Sequence, residues 1–235
     1  MKESMIDCYV PAVKEALNQG HKDTRLGFAL EHLTRSEEDW KHVIFSDEKM
    51  FDTTESRPRH CWRPRNTRYD PNNVAQVQRS GRSVSMWGWI WGYGAELAMT
   101  DGHLTGEKYI EILEEVLLPT VRAMVIPEPN TIKFVQDLSP IHQCIIVRQW
   151  FAEHPEIELI QWPPKGCDLN PIENVWAIMA RDWHVEVRNA DEVGRKAREV
   201  WEGIRRRPDL CSALAASMPR RLEKVVAARG GWTSY

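Results

Sequence analysis

The sequence predicts an α/β domain in which a mixed, five-stranded sheet is flanked by helices. Three observations carry that reading. Short β-branched and aromatic runs alternate with segments whose apolar residues recur at helical spacing. Two adjacent runs meet at Gly94 and read as an antiparallel hairpin, whereas the others are separated by helical crossovers, which join parallel strands. Two of the runs lead to an aspartate, Asp47 and Asp137, and a later helix opens on Glu173.

Taken in order, residues 1–39 read as two helical pieces, broken near Asn18-Gln19-Gly20 and ending in the charged stretch 35–39. Val43, Ile44 and Phe45 form a buried strand leading to Asp47. Residues 56–82 carry Pro58, Pro64, Pro71 and Gly81 and predict a long loop, of a length that is usually functional. Residues 83–93 are an aromatic strand with Trp87, Trp89 and Trp91 on one face, which is core or interface packing, and 95–100 is its hairpin partner. The spacing of Tyr109, Ile112, Leu113, Val116, Leu117 and Val121 predicts an amphipathic helix despite Pro119. A strand over 131–136 follows. Ser139 as N-cap and Pro140 at the first helical position then start a helix to about residue 153. Residues 157–161 are a further strand, and Pro163-Pro164-Lys165-Gly166 is a rigid turn. In the next helix Ile172, Val175, Trp176 and Met179 form the buried stripe. Helices over 189–204 and 210–228 complete the chain, the last stopped by Gly230-Gly231.

Composition narrows the function classes. Of 235 residues, 42% are hydrophobic and 28% charged, ordinary values for a globular chain. No apolar run reaches the roughly 20 residues that span a bilayer, so no membrane partner is expected. Five scattered cysteines without a C-x-x-C pair point to reduced thiols rather than a disulfide framework or a zinc site. The net charge of −3 argues against a dedicated nucleic-acid binder, but it hides an asymmetry. Residues 56–82 hold seven arginines against one acid, Asp70, and a patch of that sign binds phosphates even on an acidic protein.

Each of the three acids also fits a plainer role. Asp47 can cap a turn, Asp137 can tie down the helix start at Ser139, and Glu173 can complete a capping box with Asn170, an arrangement worth about 0.5–2 kcal/mol. Their combination favours chemistry. Two acids at strand ends and a third in the first turn of a later helix can meet at one edge of an open sheet, where such sheets place their sites. Clustered carboxylates are costly unless cations neutralise them. Two Mg²⁺ ions about 3.5–4 Å apart meet that need and clamp the attacking and leaving oxygens of a phosphoryl transfer.

The text around these acids resembles the catalytic part of mariner-type transposases, the Tc/mariner group of DDE enzymes. The matching stretches are Val43-Ile44-Phe45-Ser46-Asp47-Glu48, Ser85-Met86-Trp87-Gly88, Gln136-Asp137 with Pro140 and His142, and Trp162-Pro163-Pro164 through Asp168-Leu169-Asn170-Pro171-Ile172-Glu173-Asn174-Val175-Trp176. Ser217-Met218-Pro219-Arg220-Arg221-Leu222 and Gly230-Gly231-Trp232-Thr233 resemble the family's C-terminus. The resemblance implies a ribonuclease H-like fold, with Asp47, Asp137 and Glu173 as catalytic residues and metal ligands for two Mg²⁺, Mn²⁺ substituting. Thirty-five residues separate Asp137 from Glu173, close to the family's spacing. The implied reaction is cleavage at transposon ends and attack of the freed 3′-hydroxyl on target DNA, with DNA as partner and a nuclear location following from that substrate.

In the family, the loop matching 56–82 contacts DNA and a partner subunit. Arg57, Arg59, Arg63, Arg65 and Arg68 are therefore candidate DNA contacts, and a homodimer is implied. Lys165 is either a phosphate contact or a plain turn lysine, and His142 either a DNA contact near the metals or a satisfied helix histidine. The expected organisation is a helical linker remnant over 1–39, the catalytic domain over 40–187 and a helical extension over 188–235, with the family's DNA-reading helix-turn-helix expected to be absent. The family usually carries Asn directly after the second Asp, where this chain has Leu138. The substitution either disturbs the metal site's supporting hydrogen bonds or is harmless, facing the core. An inactive, domesticated relative that binds DNA or a partner without cutting is the alternative reading. A retroviral-type integrase would carry an N-terminal His/Cys zinc module, which the sequence lacks.

Overall fold

The computed structural model describes residues 15–52, 83–100, 103–124, 131–182 and 189–235. Five strands pair in the order β3-β2-β1-β4-β5: β1 Val43–Asp52, β2 Ser83–Trp91, β3 Gly94–Thr100, β4 Ile132–Val135 and β5 Ile157–Leu159. β1, β2 and β3 are antiparallel neighbours, and β4 and β5 continue the sheet in parallel from β1. The mixed five-stranded sheet thus has the hairpin and the parallel crossovers that the sequence predicts.

β1 runs seven residues further than the apolar run that announces it. Asp47, Glu48 and Lys49 break the hydrophobic pattern, yet β2 goes on pairing with β1 as far as Asp52↔Ser83. The parallel partner stops much sooner, at Phe45↔Val135. Asp47 is therefore a mid-strand residue rather than a strand-end residue, and it lies just past the point where β4 leaves β1. This difference places the site.

Helices cover both faces. On one side Val43, Phe45, Phe51, Met86 and Ile90 pack against α6 (Ile172–Arg181), α7 (Ala190–Arg205), α8 (Pro208–Ala215) and α9 (Met218–Ala227), joined by Phe28 of α1 (Gln19–His32) and Trp40 of α2 (Glu37–Lys41). The predicted stripe Ile172, Val175, Trp176 and Met179 is the buried face of α6. Full burial of each of its aliphatic members stabilises the fold by about 1.5–3 kcal/mol. On the other side Ile44, Trp87, Trp89, Ile132 and Phe134 pack against α3 (Gly106–Ile112), a π-helical turn at Leu113–Leu117, α4 (Leu118–Ala123) and α5 (Ile145–Glu153).

α1 starts at the expected break, with the Asn18 side chain accepting the His21 N–H at 2.8 Å, and most of the helical piece expected before it lies outside the described residues. Several boundaries differ from the sequence expectation, each for a local reason. Pro119 has no N–H for the Glu115 carbonyl, and the amphipathic helix widens into its π turn there instead of continuing regularly. Pro219 has none for Ala215, and the last predicted helix splits into α8 and α9. α5 begins at Ile145 rather than at Pro140, because Asp137 Oδ1 accepts the Ser139 N–H at 2.9 Å and turns the chain first. β4 ends at Val135 and β5 at Leu159, both short of expectation. Among the described residues, Cys144, Cys167 and Cys211 form no disulfide, and no helix is long and apolar enough to cross a membrane.

Candidate active site

Where β1 and β4 part, the Ser46 hydroxyl donates to the Val135 carbonyl at 2.8 Å and closes the fork. Asp47 follows on one arm, and Gln136 and Asp137 on the other. The third acid arrives on the turn before α6. Asn170 donates from Nδ2 to the Ser46 carbonyl at 3.0 Å, so the turn is tied to β1 one residue from Asp47. The predicted capping box is replaced by a different start: α6 begins at Ile172 behind Pro171, and Asn170 Oδ1 accepts the Ile172 N–H at 3.4 Å. Glu173 is left in the first turn, facing the fork.

Asp47, Asp137 and Glu173 line one cavity of about 460 Å³, together with Leu138, Ser139, Lys165 and the rigid wall Trp162, Pro163 and Pro164. Three acids from three elements are thus brought to one concave surface. Lys165 stands on its rim with a left-handed backbone, φ 54°, and pairs there with Glu15. Leu138 is 48% exposed at the mouth, so it does not face the core. His142 is 2% exposed, and its two ring nitrogens reach Asp137 Oδ1 at 2.7 Å and Glu48 Oε1 at 2.9 Å. With both nitrogens engaged, the imidazole bridges two carboxylates and has no nitrogen left to offer a phosphate. Arg57, Arg59, Arg63, Arg65 and Arg68 lie outside the described residues.

Sequence reasoning missed several supporting residues. The Trp176 indole N–H donates to Asp47 Oδ2 at 3.0 Å, although Trp176 reads in the sequence only as core. Its position one helical turn after Glu173 was the available signal, since residues three apart share a helix face and a buried indole needs an acceptor. Gly88, paired with Asp47 across the strands, makes room for that ring. A Cβ there would lie 2.7 Å from Trp176 Cη2. Glu48 points to the opposite face from Asp47, as strand alternation requires, and so meets His142. Tyr109 stacks beside His142 at 4.6 Å and donates to Gln136 Oε1 at 2.7 Å.

The charges are unevenly balanced. Burial, with Glu173 and Glu48 nearby, pushes the Asp47 carboxyl up from 3.8 to about 8, against the help of the Trp176 hydrogen bond. Burial also raises Asp137, but hydrogen bonds from His142 and Ser139 outweigh it and leave that carboxyl below its usual range. Burial lowers His142, and its bonds to Asp137 and Glu48 more than reverse this, holding the imidazolium to about 10. One acid thus has a cationic neighbour and another does not. A half-buried carboxylate beside a second one is the environment a divalent cation relieves, and carboxylate oxygens are the donors that Mg²⁺ and Mn²⁺ prefer. The residues fit such an ion. Among the described residues, no three His, Cys, Asp or Glu side chains are already gathered around a single point; the acids are spread along the cavity wall.

Comparison with known proteins shows the family and the fold. The family model for the DDE superfamily endonuclease matches residues 42–195, the span from β1 into α7. The Tcb2 transposable element transposase of Caenorhabditis briggsae is 31% identical over 229 residues, covering 96% of this chain and 82% of the relative. The Tc1 transposase of Caenorhabditis elegans is 29% identical over 230 residues with the same coverage. The Mos1 mariner paired end complex with Mn superposes with a TM-score of 0.79 at 19% identity, over 97% of this chain and 68% of that one, and so shares its ribonuclease H-like fold. A sheet fork carrying two aspartates, a helix bringing a glutamate to it, and relatives of this closeness place the chain in the DDE superfamily of endonucleases, within the Tc1/mariner group of transposases.

Proposed function

We propose that this transposase domain cuts DNA at transposon ends and joins the freed 3′-hydroxyl to target DNA, with Asp47, Asp137 and Glu173 as the catalytic residues. The observation that carries this reading is the single cavity shared by the three acids. Asp47, Asp137 and Glu173 would hold the divalent ions through their carboxylate oxygens. When bound, two Mg²⁺ or Mn²⁺ ions supply Lewis acidity to a phosphodiester and favour hydroxide or alkoxide as the attacking oxygen.

The chain's own residues do the rest. Trp176 fixes the rotamer of Asp47. His142 restrains Asp137 and neutralises Glu48, so that charge on β1 does not repel the incoming backbone. Pro163 and Pro164, with fixed backbone φ, hold one cavity wall rigid. Lys165 offers a point charge to a phosphate once Glu15 is displaced. The arginines of 56–82 supply further phosphate contacts, a second copy of the chain is the partner they imply, and a nuclear location follows from the substrate.

The test is strand transfer on pre-cut transposon-end oligonucleotides. Joined product should require Mg²⁺ or Mn²⁺ and should fall by at least about a thousandfold in Asp137→Ala, the scale of losing a group that acts in the transition state. Equal product from the wild type and that variant would reject the assignment. The exposed Leu138 beside Asp137 favours a second reading, a chain that keeps the fold but has lost cutting. In that case the wild type is inert and Leu138→Asn gains activity.

A further inference from the structure

Glu173 is held from a side that the acid cavity does not show. A second cavity, of about 240 Å³, lies against its other flank and is lined by Asp168, Asn174, Arg221 and Tyr235 as well as Glu173. Arg221, on α9, is 1% exposed. Its Nε donates to Ser217 Oγ at 2.8 Å, one Nη to the Asp168 carbonyl at 3.2 Å, and the other Nη to Asn174 Oδ1. The Tyr235 ring covers the guanidinium at 4.2 Å. Asp168 is fixed independently: it accepts both Arg25 Nη groups at 2.8 Å, and the Thr233 N–H at 2.9 Å and hydroxyl at 3.0 Å.

A guanidinium is a planar fork with fixed angles between its donors. One that bonds both the backbone of residue 168 and the side chain of residue 174 sets the span between them, and that span contains Glu173. Asn174 is the residue next to Glu173, so a shift of one moves the other. We propose that Arg221 is a positioning residue for Glu173, acting through Asn174, and that α9 and the 232–235 segment thereby set the geometry of the acidic site. The proposal rests on the reading of Glu173 as a metal ligand. It extends that reading to residues far from the cavity in sequence.

The plain alternative is that Arg221 only docks α9. The two are separated by Mn²⁺ affinity, measured by titration calorimetry on the folded full chain, alongside the melting temperature from circular dichroism. Wild type, Glu173→Gln, Arg221→Lys and Asn174→Ala are compared. Arg221→Lys keeps the charge but loses the fork, and Asn174→Ala removes the acceptor from a half-buried helix position. If Arg221→Lys does not fold, Asn174→Ala carries the test alone. Each should weaken Mn²⁺ binding by about tenfold, as lost outer contacts do at metal sites, and the double variant should be no weaker than the worse single one. Wild-type affinity in a folded Asn174→Ala, with only the melting temperature lowered, overturns the proposal and leaves the function standing. Absence of Glu173-dependent binding in the wild type overturns both.

Discussion

Asp47 is the residue on which the site's energetics turn. It is half-buried beside Glu173 and Glu48, and its raised pKa has a definite consequence for stability. A carboxyl at about 8 when folded and near 3.8 when unfolded binds its proton more tightly in the native state. Its stabilising effect is therefore complete below about pH 4 and is lost as pH rises through about 8. His142, held to about 10, acts with the same sign over a higher window. In metal-free protein, Asp47→Asn should accordingly raise the melting temperature relative to wild type, by more at pH 8.5 than at pH 5. Added Mn²⁺ should restore the wild type and leave the variant unmoved. Thermal unfolding across that pH range checks this, and a variant less stable than wild type at pH 8.5 would show that Asp47 is not under charge stress. At this scale the acids were legible because carboxylates after apolar runs stand out. The bonds of Trp176 to Asp47 and of His142 to Glu48 were not, since those partners lie 129 and 94 residues away in the chain, and helical spacing can mark Trp176 as facing the site without naming its acceptor.

The elements were legible where burial is periodic and illegible where polar function interrupts it. The stripe of α6 shows plainly in the sequence. The second half of β1 does not, because Asp47, Glu48 and Lys49 replace the alternation that marks a strand, and only β2 reveals that pairing continues. Proline explains the π turn and the split between α8 and α9, yet its sequence position alone does not say whether a helix ends or bulges. The start of α6 gives the clearest lesson, since Asn170, which fits a helix cap, also binds β1 through its Nδ2. Asn170→Ala should cost about 1–3 kcal/mol in urea unfolding, because it leaves the buried Ser46 carbonyl without its donor. A loss of a few tenths, typical of replacing an exposed polar residue, would mean that the tie to β1 carries little.

At the scale of the whole molecule, the two ends of the described chain meet behind the site. Arg25 of α1 pairs with Asp168 with neither side chain exposed, and it also donates to the Gly230 carbonyl at 2.9 Å. Gly230 takes φ 79°, and a side chain there would collide with the Lys22 carbonyl, so α1 and the end of α9 approach closely only because the residue is glycine. Breaking a buried pair leaves an uncompensated charge. Asp168→Asn should therefore destabilise by about 3–5 kcal/mol in denaturant unfolding, and a change below about 1 kcal/mol would refute the clasp. The sequence displays these residues at 25, 168 and 230 without displaying the contact, which exists only once both helical layers have closed on the sheet. The proposed function turns on Asp47, Asp137 and Glu173 together holding divalent metal. The most direct measurement is an anomalous-scattering map from crystals soaked in Mn²⁺. Manganese peaks are expected within the acid-lined cavity, in reach of Asp47, Asp137 and Glu173. Full-occupancy manganese elsewhere, with none in that cavity, would contradict it.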